Sequence, residues 1–353
     1  MNIYLKNITK KYGKTAVLDN LSICFESGKL TALLGPSGCG KTTILNTIAG
    51  VVPPNSGNIY FGTECVTDYP LSQRNIGYVF QNYSLYPNMT AYDNLIFPLT
   101  NIKFPAMTRP QRKEYCREKV HSIAKLLQVE DTLSRFPSEL SGGQQQRVAL
   151  GRAIIRDPDI LLMDEPFANL DRKLSIEMRE EVREIQQSTG ITTIFVTHNQ
   201  ADANAISDKI ILLKDGAIQQ ADVASEIYDH PSNTFVADFF GEHGSNIIYM
   251  DNTGRDIFSL ISVLQPQGVS AISFRPEDVH FTGKEGPFKV KSKTRLGGSW
   301  IYILQHNTSR LSVLSEKTLE VGNSVSISLD ENKVNYFDKS GTSLYQKEVT
   351  PCP

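Results

Sequence analysis

The chain has almost no net charge: 36 Lys and Arg stand against 38 Asp and Glu, a formal balance of -2. That balance provides no global field to attract nucleic acid or an anionic membrane surface, so no nucleic-acid partner is expected. No apolar run approaches the ~20 residues needed to cross a bilayer, and the opening stretch MNIYLKNITKKYGK holds no apolar core of the signal-peptide type. Membrane contact is therefore expected only through another protein, with the chain on the cytoplasmic side. Cysteine is scarce and unpatterned. Cys24, Cys39, Cys65, Cys116 and Cys352 are odd in number and show no C-x-x-C spacing, so neither a disulfide framework nor a zinc site is expected and reduced thiols are the default. No internal repeat of fixed period and no low-complexity tract is found.

What the chain does have is length and ordinary globular composition. At ~150 residues per domain, 353 residues suggest two or three domains, and 40% hydrophobic with 21% charged residues fits a packed core. Residues 1–240 alternate short β-branched or aliphatic runs with helical stretches, the pattern of a largely parallel sheet covered by helices. IYLKNI at 3–8 alternates with period two and fits an outer strand. LTALL at 30–34, DILLM at 159–163 and TTIFV at 192–196 read as buried strands, and each runs into a motif. Residues 82–158 form a mostly helical insertion. There T-R-P-Q at 108–111 reads as a capping box, and Cys116, Val120, Ile123, Ala124 and Leu127 recur on one helical face. After Gly241 the helices stop. Segments such as VSAISF, FKVKS, SWIYILQ, RLSVL and SVSISL, separated by Gly, Asn and Asp turns, predict a small barrel-like β domain over 244–345, with GEHGSN at 241–246 as the linker.

Three motifs carry chemistry. GPSGCGKTT comprises Gly35, Pro36, Ser37, Gly38, Cys39, Gly40, Lys41, Thr42 and Thr43, and it matches G-x-x-x-x-G-K-[ST] between a strand and a helical run. Glycines let backbone N–H groups close around phosphate oxygens and the helix N-terminus adds its positive end. Lys41 can neutralise outer phosphates, and the Thr42 hydroxyl can ligate Mg²⁺. In DILLMDEP a buried strand delivers Asp164 and Glu165 to the carboxyl edge of the sheet beside that loop. Asp164 suits a Mg²⁺ anchor, and Glu165 can orient and deprotonate water. Taken alone, two acids after a strand more often cap a helix. LSGGQQQR at 140–147 sets Ser141, Gly142, Gly143 and Gln144 at a helix start, where N–H groups can meet an anion.

A phosphate loop, then LSGGQ, then DEP, in this order and at these separations, resembles the nucleotide-binding subunits of ABC transporters over the first 240 residues. The resemblance implies an α/β P-loop NTPase (RecA-like) core with a helical subdomain, followed by a small all-β OB-like domain, and an ATPase that uses ATP and Mg²⁺. It implies that Tyr12 in KKYGK stacks on adenine and that Gln81 in YVFQNYSLYP meets Mg²⁺ and the attacking water. It further implies that Asp171 in FANLD speaks across a dimer interface and that His198 in FVTHNQADA touches the terminal phosphate. Unaided, Asp171 reads as a helix N-cap. In such proteins the signature of one copy completes the site built on Lys41 and Glu165 of the other, so a homodimer or paired ATPase subunit is expected.

FQNYSLYPNMTAYDNLIFPL, SGGQQQRVALGRAI, IYDHPSNTFVADFFG and FRPEDV narrow the resemblance to importer ATPases for sugars, ferric iron or polyamines. This implies two transmembrane permease subunits, docked near 82–99, an extracytoplasmic substrate-binding protein acting indirectly, and a peripheral position on the membrane. A β domain of this kind resembles a regulatory TOBE or oligonucleotide-fold module. Carbohydrate is the favoured cargo, with iron, polyamine or phosphonate as alternatives. A soluble ABC ATPase without a permease is disfavoured by that tail and by the near-neutral charge. Asn199 stands where many relatives have Asp, and FFGEHGSNII lacks a Pro-containing connector.

Overall fold

The computed structural model describes residues 1–100, 102, 107–250, 257, 260–261, 267–283 and 285–345. They form two compact units, Met1–Ala221 and Asp222–Pro353.

The first unit runs β1 (Ile3–Tyr12), β2 (Thr15–Phe25), β3 (Leu30–Leu34), α1 (Lys41–Ala49), β4 (Ser56–Phe61), β5 (Glu64–Cys65), β6 (Ile76–Val79), α2 (Ala91–Thr100), α3 (Arg109–Leu126), α4 (Gly142–Ile154), β7 (Ile160–Asp164), α5 (Arg172–Thr189), β8 (Thr192–Thr197), α6 (Gln200–Ile206), β9 (Lys209–Lys214) and β10 (Ala217–Asp222). An outer sheet, β2-β1-β4-β5, is antiparallel. The inner sheet has the order β10-β9-β3-β8-β7-β6 and is parallel from β9 through β6. Every residue of β3 is buried, as is every residue of β8, which is why these strands are unbroken apolar or β-branched runs. β10 returns beside β9 through Asp215 and Gly216, whose φ angles of 50° and 75° suit a two-residue turn of the primed type. Ile44, Leu45, Ile48 and Ala49 of α1 share one core with Ile3, Leu5, Ile23 and Ile59 of the outer sheet and Leu33, Ile160, Leu162 and Ile194 of the inner one. The helix after the phosphate loop is thereby locked between the two sheets.

Helix α3 starts where the capping box places it: Thr108 is its N-cap, paired with Gln111. The expected apolar face is buried. At Gly151 of α4 a Cβ would stand 2.7 Å from Leu95, 2.8 Å from Leu127 and 3.0 Å from Ile123, so only glycine lets α2 and α3 pack this closely on α4. Arg74 is buried and donates to Thr47 O and Ile48 O, closing the last turn of α1.

The second unit opens with α7 (Ala224–Asp229) and α8 (Thr234–Phe239), so it starts earlier in the chain than the 241–246 linker suggests. The cause is Arg275, the arginine of FRPEDV. Buried, it donates to Tyr228 O (2.9 Å), Ala237 O (2.9 Å), Phe240 O and Gly244 O (3.3 Å), and its guanidinium lies 4.1 Å from the Tyr228 ring centre. Burial pulls its pKa down to about 10. Then follow β11 (Asn246–Tyr249), β12 (Ala271–Phe274), β13 (Val279–Phe281), β14 (Phe288–Leu296), β15 (Ser299–His306), β16 (Ser309–Ser315), β17 (Ser324–Val325), β18 (Ile327–Leu329) and β19 (Asn335–Phe337). They make three sheets, β11-β12-β19, β13-β18 and β16-β15-β14-β17, around one core that includes Phe274, Phe281, Phe288, Tyr302, Leu304 and Val313. SVSISL reads as one strand but splits: β17 pairs with β14 and β18 with β13. Cys39, Cys65 and Cys116 carry free thiols. Cys352 lies outside the described residues.

Candidate active site

The phosphate loop runs from the end of β3 into α1. At Gly35 (φ 157°) a Cβ would lie 2.2 Å from Leu213 O and 2.9 Å from Cys39 Sγ, so a side chain there would push the loop off the sheet edge. Lys41 opens α1 with 6% of its surface exposed, and its Nζ donates to Gly35 O (2.7 Å) and Pro36 O (2.9 Å). The ammonium is thus held under the loop, beside the first helical N–H groups that no intrahelical carbonyl can pair. Thr42 Oγ1 donates to Asp164 Oδ1 at 3.1 Å. Burial pushes the Asp164 carboxyl above the usual aspartate range, Thr42 and Lys41 oppose this, and Glu165 adds to it. A hydroxyl, a carboxylate and the Gln81 amide are hard oxygen donors of the kind Mg²⁺ takes, and that ion typically uses few protein ligands together with substrate phosphates.

Three adjacent parallel strands deliver the rest. β7 ends at Asp164 and leads into Glu165, whose φ of 46° is costly for a residue with a side chain, and whose N–H is held by Val196 O at 3.0 Å. The Glu165 carboxylate accepts from Gln81 Nε2, just past β6, at 3.0 Å, and stands 3.1 Å from Nδ1 of His198, just past β8. Asn169 Nδ2 donates to Gln81 O at 3.1 Å. Gln81, Asp164, Glu165, His198, Lys41 and Thr42 therefore meet at one edge, with the loop Gly35, Pro36, Ser37, Gly38, Cys39 and Gly40 beside them and Thr43 in the first turn of α1.

The signature is built separately. Ser141 N-caps α4: its Oγ accepts from Gln144 N (3.3 Å), and Gln144 Oε1 accepts from Ser141 N (3.0 Å). Ser141 and Gly142 are exposed, while Gly143 is buried. Gln145 Nε2 braces the preceding loop at Pro137 O and Leu140 O, and Arg147 pairs with Glu181 of α5 at 2.9 Å. Among the described residues no hydrogen bond joins Ser141, Gly142, Gly143 or Gln144 to the acid cluster. Asp171 N-caps α5 through Lys173 N and Leu174 N, as its unaided reading has it. Tyr12 ends β1 with half its surface exposed and Lys10 Nζ 5.3 Å from its ring centre.

Comparison with known proteins gives the same direction. The ABC transporter family matches residues 18–168. The chain is 38% identical to the Fe(3+) ions import ATP-binding protein of Fusobacterium nucleatum, over 97% of this chain and 95% of that one. It is also 38% identical to the trehalose/maltose import ATP-binding protein of Thermococcus litoralis, over 96% and 98%. The chain belongs to the ATPase subunits of ABC importers. A dimeric ATP-binding cassette in a post-hydrolysis state bound to ADP and Pi superposes with a TM-score of 0.56 at 33% identity, covering 63% of this chain and 98% of that one.

Several features of this ATPase have no signature in the sequence. After Gln81, Tyr83 (φ 58°) and Ser84 (φ 48°) are both left-handed, and Arg152 of α4 donates to both carbonyls, at 2.9 and 2.8 Å. Asn94 of α2, fully buried, accepts from Tyr86 N (2.8 Å) and donates to the carbonyls of Tyr86, Met89 and Thr90 (3.1, 3.1 and 3.0 Å). Tyr86 itself is 39% exposed and packs on Phe97. A non-glycine left-handed pair and a carbonyl-binding asparagine carry no composition cue. Cys39 is 4% exposed and burial pushes its thiol up, partly offset by Lys41. That disfavours the thiolate.

Proposed function

We propose that two copies of this chain enclose two ATP molecules, each held by the phosphate loop of one copy and the Ser141 turn of the other, and that the pair drives a membrane permease. The observation that carries this reading is the meeting of Gln81, Glu165 and His198 around one carboxylate, next to Thr42 and Asp164, while the anion-ready start of α4 faces outward on its own cap. Lys41 neutralises the outer phosphates, Tyr12 stacks on adenine, and Glu165 takes the proton of the attacking water, which Gln81 and His198 hold in line. Magnesium, when bound by Thr42, Asp164 and Gln81, supplies charge neutralisation at the terminal phosphates. Ser141, Gly142, Gly143 and Gln144 complete the site from across the interface, and Asp171 reports its closure. Because the nucleotide's charge is met from both sides, its hydrolysis loosens the pair.

The permease, of two transmembrane subunits, docks on 82–99, where Arg152 and Asn94 hold Tyr86 outward. An extracytoplasmic binding protein delivers cargo to it, so the chain works peripherally on the cytoplasmic face of the membrane. The division of roles expected over 1–240 and 244–345 is part of this reading, with 222–240 counted to the second unit, the first domain binding nucleotide and the β-rich second stabilising the pair or receiving regulators. We assign carbohydrate as the cargo on the likeness to trehalose/maltose and glucose import proteins at 38% and 37% identity. The equally similar Fe(3+) import protein supports ferric iron as the second reading. Comparing uptake of labelled sugars and labelled ferric iron in cells with and without this gene separates the two.

Glu165→Gln tests the chemistry. It keeps the shape of the side chain and its contacts to Gln81 but removes the base, so ATP binding persists and turnover falls by about 10²- to 10⁴-fold. Ordinary turnover in that variant overturns the assignment.

A further inference from the structure

His198 is fixed from behind by a group outside the catalytic set just proposed. Its ring is 56% exposed and is anchored, among the described residues, by a hydrogen-bond contact with Glu165. Exposed side chains keep considerable rotamer freedom, so what aims this one must act on its backbone. The residues on either side do so. Thr197 ends β8, and Asn199 is the N-cap of α6. Both are tied to a single carboxylate, that of Asp202: Thr197 Oγ1 donates to Oδ2 at 3.2 Å and Asn199 Nδ2 donates to Oδ1 at 3.3 Å. Thr197 Oγ1 also accepts from Asn199 N at 3.0 Å, closing the bracket. Asp202 is 4% exposed. A charge so buried needs a partner, and Arg179 of α5 supplies one at 3.6 Å while donating to Ala201 O at 3.0 Å.

We propose that Asp202 is a positioning residue for hydrolysis, holding His198 at Glu165 through Thr197 and Asn199, with Arg179 tying that bracket to α5. The chemistry also explains why residue 199 is Asn. Its amide donates to the buried carboxylate while its oxygen caps Ala201 N at 2.9 Å, whereas an aspartate would set a second negative charge against Asp202. Asp171 is the N-cap of α5, so the bracket is tied through Arg179 to the helix that this residue caps. The inference rests on the role proposed for His198.

A double-mutant cycle on the full chain at saturating Mg-ATP tests it, with kcat and KM measured for His198→Ala, Asp202→Asn and the two combined. If Asp202 acts through His198, Asp202→Asn lowers kcat by about 10- to 100-fold with KM for ATP unchanged, and it lowers kcat no further in the His198→Ala background. Losses that multiply, or a wild-type kcat in Asp202→Asn, overturn the inference. A wild-type kcat in His198→Ala overturns instead the reading on which it rests. Thr197→Val, nearly isosteric and lacking the hydroxyl, repeats the cycle without touching the Asp202 and Arg179 pair. It must show the same absence of an added effect for the inference to stand.

Discussion

Replacing Asn94 by Ala isolates the support of the loop proposed to dock the permease. The native side chain is fully buried and makes four hydrogen bonds, all to the backbone of Tyr86, Met89 and Thr90. Each is worth about 0.5–1.5 kcal/mol net, and buried groups stripped of a partner cost more. Against this, the loop is partly exposed, so water can re-pair some of its carbonyls, and Ala favours the helix. The balance is about 2–3 kcal/mol, which raises local opening of the loop roughly 30- to 150-fold. Native-state hydrogen exchange reads this directly. The Tyr86 amide loses protection by that factor while amides of β3, β7 and β8 do not, and permease-stimulated turnover falls with basal hydrolysis retained. Unchanged protection at Tyr86, or an equal loss throughout the inner sheet, refutes the assignment of Asn94 as a local clamp.

Two further perturbations test the framework. Arg275→Met strips four backbone carbonyls of their donor. It destabilises the second unit by about 2–4 kcal/mol, followed by urea unfolding of the fluorescence of Trp300, the chain's single tryptophan. An unchanged midpoint contradicts the clamp. At Asp208, burial pushes the carboxyl up, but the Arg183 fork (2.6 and 3.0 Å) and the Leu30 N–H outweigh it and leave the pKa lowered. A depressed folded-state pKa gives stability that is present at neutral pH and lost as pH falls through it. Asp208→Asn is therefore less stable than the parent at neutral pH, and the gap closes in acid; a gap independent of pH contradicts the pairing.

The strands that carry the site were legible because burial on both faces leaves no choice of residue: LTALL, DILLM and TTIFV became β3, β7 and β8 nearly residue for residue. Capping chemistry is equally local, and Thr108 and Gln111 marked the start of α3. What stayed hidden is bonding to backbone carbonyls, which have no letter in a sequence. Arg74, Asn94, Arg152 and Arg275 are ordinary polar residues until the fold wraps carbonyls around them. The same cause moved α7 and α8 into the second unit. Gln81, Asp171 and His198 were named only by resemblance, since a lone Gln, Asp or His after a strand has several uses. Packing then brought Gln81 and His198 to Glu165. Asp202 escaped notice because its partners lie around a turn whose closure the sequence does not show.

The central claim, a nucleotide shared between two copies, is tested most directly by cross-linking chains that each carry one introduced cysteine. One population carries Ser37→Cys and the other Ser141→Cys, both exposed positions, in a background with Glu165→Gln and with the exposed Cys65 changed to Ser. Mixed and treated with a short bis-maleimide, they should give a dimer-sized product that forms with Mg-ATP and disappears without it. A mixture that yields no such product with nucleotide, while one chain carrying both cysteines cross-links within itself, contradicts the shared site.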